Sequence, residues 1–207
     1  GVVREIPAGA SAVATILGRP ARVLTPKPEE AVAMTVRLGK MKMLRPGAAY
    51  VLAVEYPEDA PRSMVVINTG NETSRGFHTG LALGDALHPK YVNNFVESLD
   101  LPLSGRWEDW TLLFRLHDRF PERGLVRGSN EPRTLGPEDG FDVTIAQFSA
   151  ENDPLSKGAA AGRIRLFEVI DEEALALKVN FPPAGLPCRR LFWREEMSDG
   201  IAFDDKN

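Results

Sequence analysis

The sequence predicts an all-β chain, a two-sheet antiparallel β-sandwich of the jelly-roll kind with few short helices. Three observations carry this expectation. Apolar residues fall in runs of about four to eight, mostly alternating with polar ones, as half-buried strands require. Clusters of Gly, Pro and Asp separate the runs. No regular helical crossover joins them, whereas a parallel α/β sheet needs one between each pair of strands. About nine or ten such runs suit two sheets packed face to face, with the same-parity residues of each strand filling the gap.

In chain order, "SAVATIL" and "ARVL" are strands around a Gly-Arg-Pro break. In "AVAMTVRL", Met34, Val36 and Leu38 interleave with Ala33, Thr35 and Arg37. After the turn "LRPGAAY" comes "AYVLAVEY", stopped by Pro57, then "RSMVVINTG". The second half repeats the habit. "RWEDWTLLFRLHD" places Trp110, Leu112, Phe114 and Leu116 on one parity. "FDVTIAQFSA" does the same with Phe141, Val143 and Ile145, and "GRIRLFEVI" with Ile164, Leu166 and Glu168. "ALALKVNF" is a last strand. Helical content is confined to "DALHPKYVNNFVESL" and "DEEALAL", as short helices at most.

Two connections are long. Residues 118–140 show almost no periodicity and carry Arg119, Arg123, Arg127 and Arg133. The other runs from Asn68 to about Leu99 and opens with "NTGNETSRGFHTG", which reads as a loop between strands. Structureless connections of this length are uncommon in compact domains and often functional. Residues 1–180 are expected to form the sandwich. Residues 181–207 read as a linker or tail, with Pro182, Pro183 and Pro187 at its start. The segment "RLFWREEMSDG" then opens a further domain or lies back on this one.

The totals bound the function. The chain has 207 residues, enough for one good core and short for two. Its net charge is −4 and its pI about 5.5, which argues against a nucleic-acid partner, since that needs a concentrated basic face. No apolar run approaches the ~20 residues of a membrane span. The start lacks the apolar core of a signal peptide, which leaves the location open. Cys188 is the one cysteine, so an intrachain disulfide and a Cys-cluster zinc site are excluded. The arginines beside it favour a thiolate, but a half-buried structural cysteine is the commoner case.

Motifs for catalysis are sparse. His78, His88 and His117 have neither the spacing of a helical metal pair nor that of a strand pair. There is no nucleophile elbow and no phosphate loop; "GAAAG" at 158–162 precedes a strand rather than a helix. Ser74, His78 and Asp85 make a triad on paper only, as any polar loop permits. Glu55, Glu108, Asp109, Glu138, Asp139 and Glu168 lie at strand ends or in loops, and a glycosidase needs two carboxylates ~5–9.5 Å apart.

The aromatic residues point elsewhere. Trp107 and Trp110 are three apart and face opposite ways on a strand. Trp110 then belongs to the core, and Trp107 faces outward or into a loop. An exposed ring suits the apolar face of a sugar, and flanking Asn, Arg and His bind its hydroxyls. Tyr91 and Asn93, with Asn94, form a second such group. Arg75 and His78 in the 68–80 stretch are a third, alongside three glycines that allow tight turns. The expected ligand residues are therefore Trp107, Tyr91, Arg75, His78 and Asn93. "NET" at Asn71 is formally a glycosylation acceptor.

The order "PGAAYVLAVEYPEDAPRSMVV", "RWEDWTLLF", "GFDVTIAQFS", "AAGRIRLFEV" resembles galactose-binding-like jelly-roll modules, over roughly residues 11–169. Such modules are often attached to carbohydrate-active enzymes. The resemblance implies a two-sheet sandwich with a binding or packing role and no chemistry of its own. Together with the strand pattern, the loops rich in Asn, Arg and aromatics and the lack of a nucleophile or metal motif, the expected function is a non-catalytic carbohydrate-binding or accessory domain of a larger polysaccharide-processing protein, bacterial and secreted or periplasmic. Its implied partners are a polysaccharide or oligosaccharide and a neighbouring domain of the same polypeptide. Many such modules hold a structural calcium; no motif here places its ligands, so no metal residue is carried over. Two other functions stay open: a purely structural domain packed against a catalytic neighbour, and a polysaccharide hydrolase or lyase using Arg and His in a sheet groove.

Overall fold

In the computed structural model, the described residues are 3–80, 102–122, 133–151, 154–175, 190–193 and 202–205. The chain divides into two units, Gly1–Ile170 and Asp171–Asn207. The first unit is built from antiparallel strands: β1 (Val3–Ile6), β2 (Ser11–Ile16), β3 (Arg19–Leu24), β4 (Val32–Leu38), β5 (Ala49–Pro57), β6 (Arg62–Asn68) and β7 (Thr73–Thr79). They are followed by β8 (Trp107–Arg115), β9 (Phe120–Glu122), β10 (Arg133–Leu135), β11 (Phe141–Gln147), β12 (Ala160–Ala161) and β13 (Ile164–Glu168). The second unit contains a 3-10 turn, Glu172–Leu175, and a hairpin of β14 (Arg190–Trp193) and β15 (Ala202–Asp205).

The first layer of the sandwich is a five-stranded sheet in the order β1-β4-β11-β6-β7. The second layer combines two three-stranded ladders, β2-β3-β12 and β5 flanked by β13 and β8. A bulge splices them. Glu55 accepts a hydrogen bond from the Gly162 N–H (2.8 Å) and donates its own N–H to the Arg163 carbonyl (2.9 Å), so two residues oppose one. A bulge of this kind shifts the side-chain parity by one. Ala159 and Ala161 before it, and Ile164 and Leu166 after it, all reach the core as a result. Gly162 and Arg163 both lie on the outside beside Glu55.

The core lies between the layers. Val32, Met34, Met64, Val66, Phe141, Val143 and Ile145 of the first layer meet Leu24, Tyr50, Leu52, Val54 and Phe114 of the second. Aromatic contacts cross the gap: Phe77 stacks on Trp110 at 5.8 Å, and Phe114 meets Phe141 edge-on at 5.8 Å. Trp110 is therefore core and Trp107 faces out, as the strand parity predicts.

The local chemistry explains several turns. Leu17 and Gly18 both have positive φ, 46° and 73°, the two-residue hairpin geometry whose twist matches its strands. Arg19 and Pro20, expected as part of a break, instead begin β3.

The 68–80 stretch departs from its expected loop. Only its start is a turn, in which the Asn68 side chain accepts the Gly70 N–H at 2.9 Å. The remainder is β7, paired along its length with β6. Its one large apolar side chain, Phe77, reaches the core, and its polar residues suit a sheet edge. The 118–140 connection also contains structure: β9 pairs with β10, Phe120 and Leu135 are buried, and a 3-10 turn spans Pro137–Asp139. The helix expected in "DEEALAL" is a 3-10 turn over its described part, Glu172–Leu175. The one expected in "DALHPKYVNNFVESL" lies outside the described residues.

Candidate functional site

The outer face of the β13-β5-β8 ladder is built in rows. Strand register aligns Glu55 with Asp109, Ala53 with Arg165 and Thr111, and Val51 with Phe167 and Leu113. Arg163 joins the first row through the bulge. Tyr50, Leu52 and Val54 of β5 point inward, so these alternating residues point out.

At one end stands Trp107. Its Nε1–H donates to the Ile16 carbonyl at 3.2 Å, which anchors the β8 start to the β2 hairpin. The Arg19 guanidinium lies 4.9 Å above the ring. Gly162 backs the ring: a Cβ there would come within 2.7 Å of Trp107 Cζ3 and 2.9 Å of Glu55 Oε2. Arg19 also pairs with Glu55 at 2.7 Å. Trp107 is thus half-buried and held on two sides. It positions Arg19 and offers a partial edge rather than an open ring face.

Further along, Arg165 pairs with Asp109 at 2.5 Å. The hydrogen bond that it donates to this carboxylate raises the pKa of the Arg165 guanidinium above its ordinary value. Phe167 is 50% exposed and Leu113 52%, on either side of Val51. The face therefore presents a half-exposed aromatic ring with the Arg165 guanidinium 5.7 Å from its centroid, an apolar row, a hydroxyl at Thr111, and a set of paired guanidinium and carboxylate groups. Glu55 and Asp109 are cross-strand neighbours, but both are engaged with arginines, which makes them fixed acceptors.

The other expected ligand residues lie elsewhere. Arg75 and His78 are on β7, the edge of the first layer, and its parity sends them to opposite faces. Arg75 donates to the Ser74 carbonyl. His78 Nδ1 lies 3.3 Å from Ser63 Oγ. Neither is on the layer that carries Trp107. Tyr91 and Asn93 lie outside the described residues, as do His88 and Cys188. Arg165 and Phe167 were the residues that strand reading passed over. Their signal was present in "GRIRLFEVI": once Ile164 and Leu166 are assigned inward, Arg165 and Phe167 must face out.

The outer face of the first layer is different. Ile6, Ala33, Ala146, Val65 and Gly76 align across all five strands. Ile6, Ala33, Ala146 and Val65 of this row line a groove of about 270 Å³, together with Phe148. Beside it, Thr35 and Thr144 share a buried hydroxyl hydrogen bond of 2.7 Å. Arg4 and Arg37 both pair with Asp142, at 3.0 and 2.9 Å.

Among the described residues, no three or more His, Cys, Asp and Glu side chains gather in a set that could hold a metal. No calcium site is placed on them. No helix among the described residues is long and apolar enough to cross a membrane.

No family model matches the chain, and no curated protein matches it. Among solved structures, it is similar to the enzymatically active domain of tailspike protein 4 of bacteriophage CBA120, at 10% identity and a TM-score of 0.35. That match covers 81% of this chain and 18% of the other. It is also similar to an exo-beta-agarase, at 12% identity and a TM-score of 0.39, over 81% of this chain and 23% of that one. The chain thus spans about a fifth of each. At these TM-scores neither likeness carries an argument about function.

Proposed function

We propose that the chain is a non-catalytic carbohydrate-binding module of a larger polysaccharide-processing protein, with its ligand along the outer face of the β13-β5-β8 ladder. The observation that carries this reading is the half-exposed ring of Phe167 on the same open face as Thr111, Asp109, Arg163 and Arg165. A pyranose packs its C–H face on such a ring, and fixed donors and acceptors alongside take its hydroxyls. From Glu55, beside Trp107 and opposite the bulge, to Val51, opposite Phe167, is four residues of strand, about 13 Å at ~3.3 Å per residue. That length suits a short run of sugars rather than a single ring.

The test is affinity gel electrophoresis of the whole chain against soluble polysaccharides, with and without a chelator. Retardation by at least one polymer, reduced in Phe167→Ala and Trp107→Ala, is expected. Retardation by none defeats the reading. Chelator sensitivity would reveal a structural calcium.

A second reading has its own observation. The apolar row of Phe167 and Leu113, both half-exposed, with the part-buried Val51 between them, also suits packing against a neighbouring domain. In that case, deleting this module from its parent polypeptide lowers the neighbour's stability and leaves glycan affinity unchanged.

A further inference from the structure

We infer that the ligand of this face is an anionic glycan, bearing carboxylate or sulfate groups, and that Arg163 is the residue that takes its charge. The inference rests on the binding face proposed above and narrows the class of polymer.

The bulge turns Arg163 outward next to Glu55, yet Glu55 is already committed. Its Oε1 accepts from Arg19 at 2.7 Å, and its Oε2 accepts the backbone N–H of Arg163 at 3.3 Å. The Arg163 guanidinium reaches Glu55 only at 4.0 Å and is 72% exposed. Arg165, two residues on, is committed to Asp109 through one nitrogen, and its Nε is buried. Three arginines, Arg19, Arg163 and Arg165, thus face two carboxylates, Glu55 and Asp109. The surplus cation falls in the first row, next to the Trp107 end of the face, on a chain whose net charge is −4.

A guanidinium is a planar fork that matches a carboxylate or sulfate in a bidentate pair. The neighbouring Phe167 and Thr111 provide what a bare phosphate backbone would not need: a surface for an apolar sugar face and a hydroxyl partner. The observations therefore favour a charged sugar polymer over a nucleic acid.

The experiment compares each charged polymer with its neutralised form. Polygalacturonate is run against its methyl ester, and a sulfated galactan against the desulfated chain. Double-stranded DNA is the polyanion control. Preference for a charged member, weakened by added salt, supports the inference, and the two pairs distinguish carboxylate from sulfate. Arg163→Gln is expected to weaken that binding about tenfold, the loss of one charge-assisted contact. It should leave the neutral form unaffected, and Arg163→Lys should restore only part of the loss. Equal binding of charged and neutral forms overturns the inference while the binding reading stands. Equal binding of DNA overturns the glycan class. No binding by any polymer overturns both.

Discussion

The indole of Trp107 rests against Gly162, and a Cβ at that glycine would come within 2.7 Å of the ring. The contact joins the bulge to the start of β8 and so sets the end of the proposed binding face. Gly162→Ala is predicted to push the ring and Glu55 aside, at a cost of about 1–3 kcal/mol, the range for overpacking. Urea denaturation of the two proteins measures it. An unchanged midpoint would mean that the ring moves freely and that Arg19 is not fixed by it.

The Thr35 and Thr144 hydroxyls give a different prediction. They bond to each other at 2.7 Å, and both residues are about 5% exposed or less. Thr144→Val leaves a buried hydroxyl without its partner and is predicted to cost about 1–3 kcal/mol. The double variant Thr35→Val/Thr144→Val removes both groups and should be the more stable of the two. A double-mutant cycle by denaturation checks this. A double variant at least as damaged as the two single changes added together would contradict the pairing.

Glu5 gives a prediction in pH. The Ser11 hydroxyl donates to its carboxylate at 2.5 Å, and Arg22 lies at 2.8 Å. The Ser11 hydrogen bond is the main cause that lowers the Glu5 pKa below its ordinary 4.5. A carboxyl depressed in the folded state contributes stability above its unfolded pKa, and that contribution is lost as pH falls through the folded value. Ser11→Ala should therefore be less stable than the parent at neutral pH, with the gap closing in acid. Denaturation midpoints across the acid range measure the gap. A gap constant in pH would show that the hydroxyl does not act through Glu5.

Much of the fold was legible in the residues. The alternation in β4, β8 and β11 identified the inward side chains, because each strand packs one face on a core. β7 was not legible, because an edge strand needs few apolar residues and Phe77 is its single large one. β9 and β10 are three residues each, too short to show a period. The site was half legible. Trp107 was correctly turned outward by parity, but no pattern could show that Arg19 and Gly162 would hold its ring. Arg75 and His78 were grouped by closeness in a presumed loop, and pairing with β6 separated them onto opposite faces. The bulge at Gly162 and Arg163 depends on which strand lies alongside, a long-range fact that "AAGRIRL" alone does not carry.

The central claim is that the glycan lies on the β13-β5-β8 face, and two exposed phenylalanines on different layers test it directly. Phe167 is 50% exposed on that face, and Phe148 is 57% exposed at the groove of the five-stranded sheet. The measurement is the affinity of Phe167→Asp and Phe148→Asp for the polymer that retards the parent chain most. The account predicts that binding is lost in the first and retained in the second. Loss in Phe148→Asp with full binding in Phe167→Asp would contradict it and move the site to the other layer.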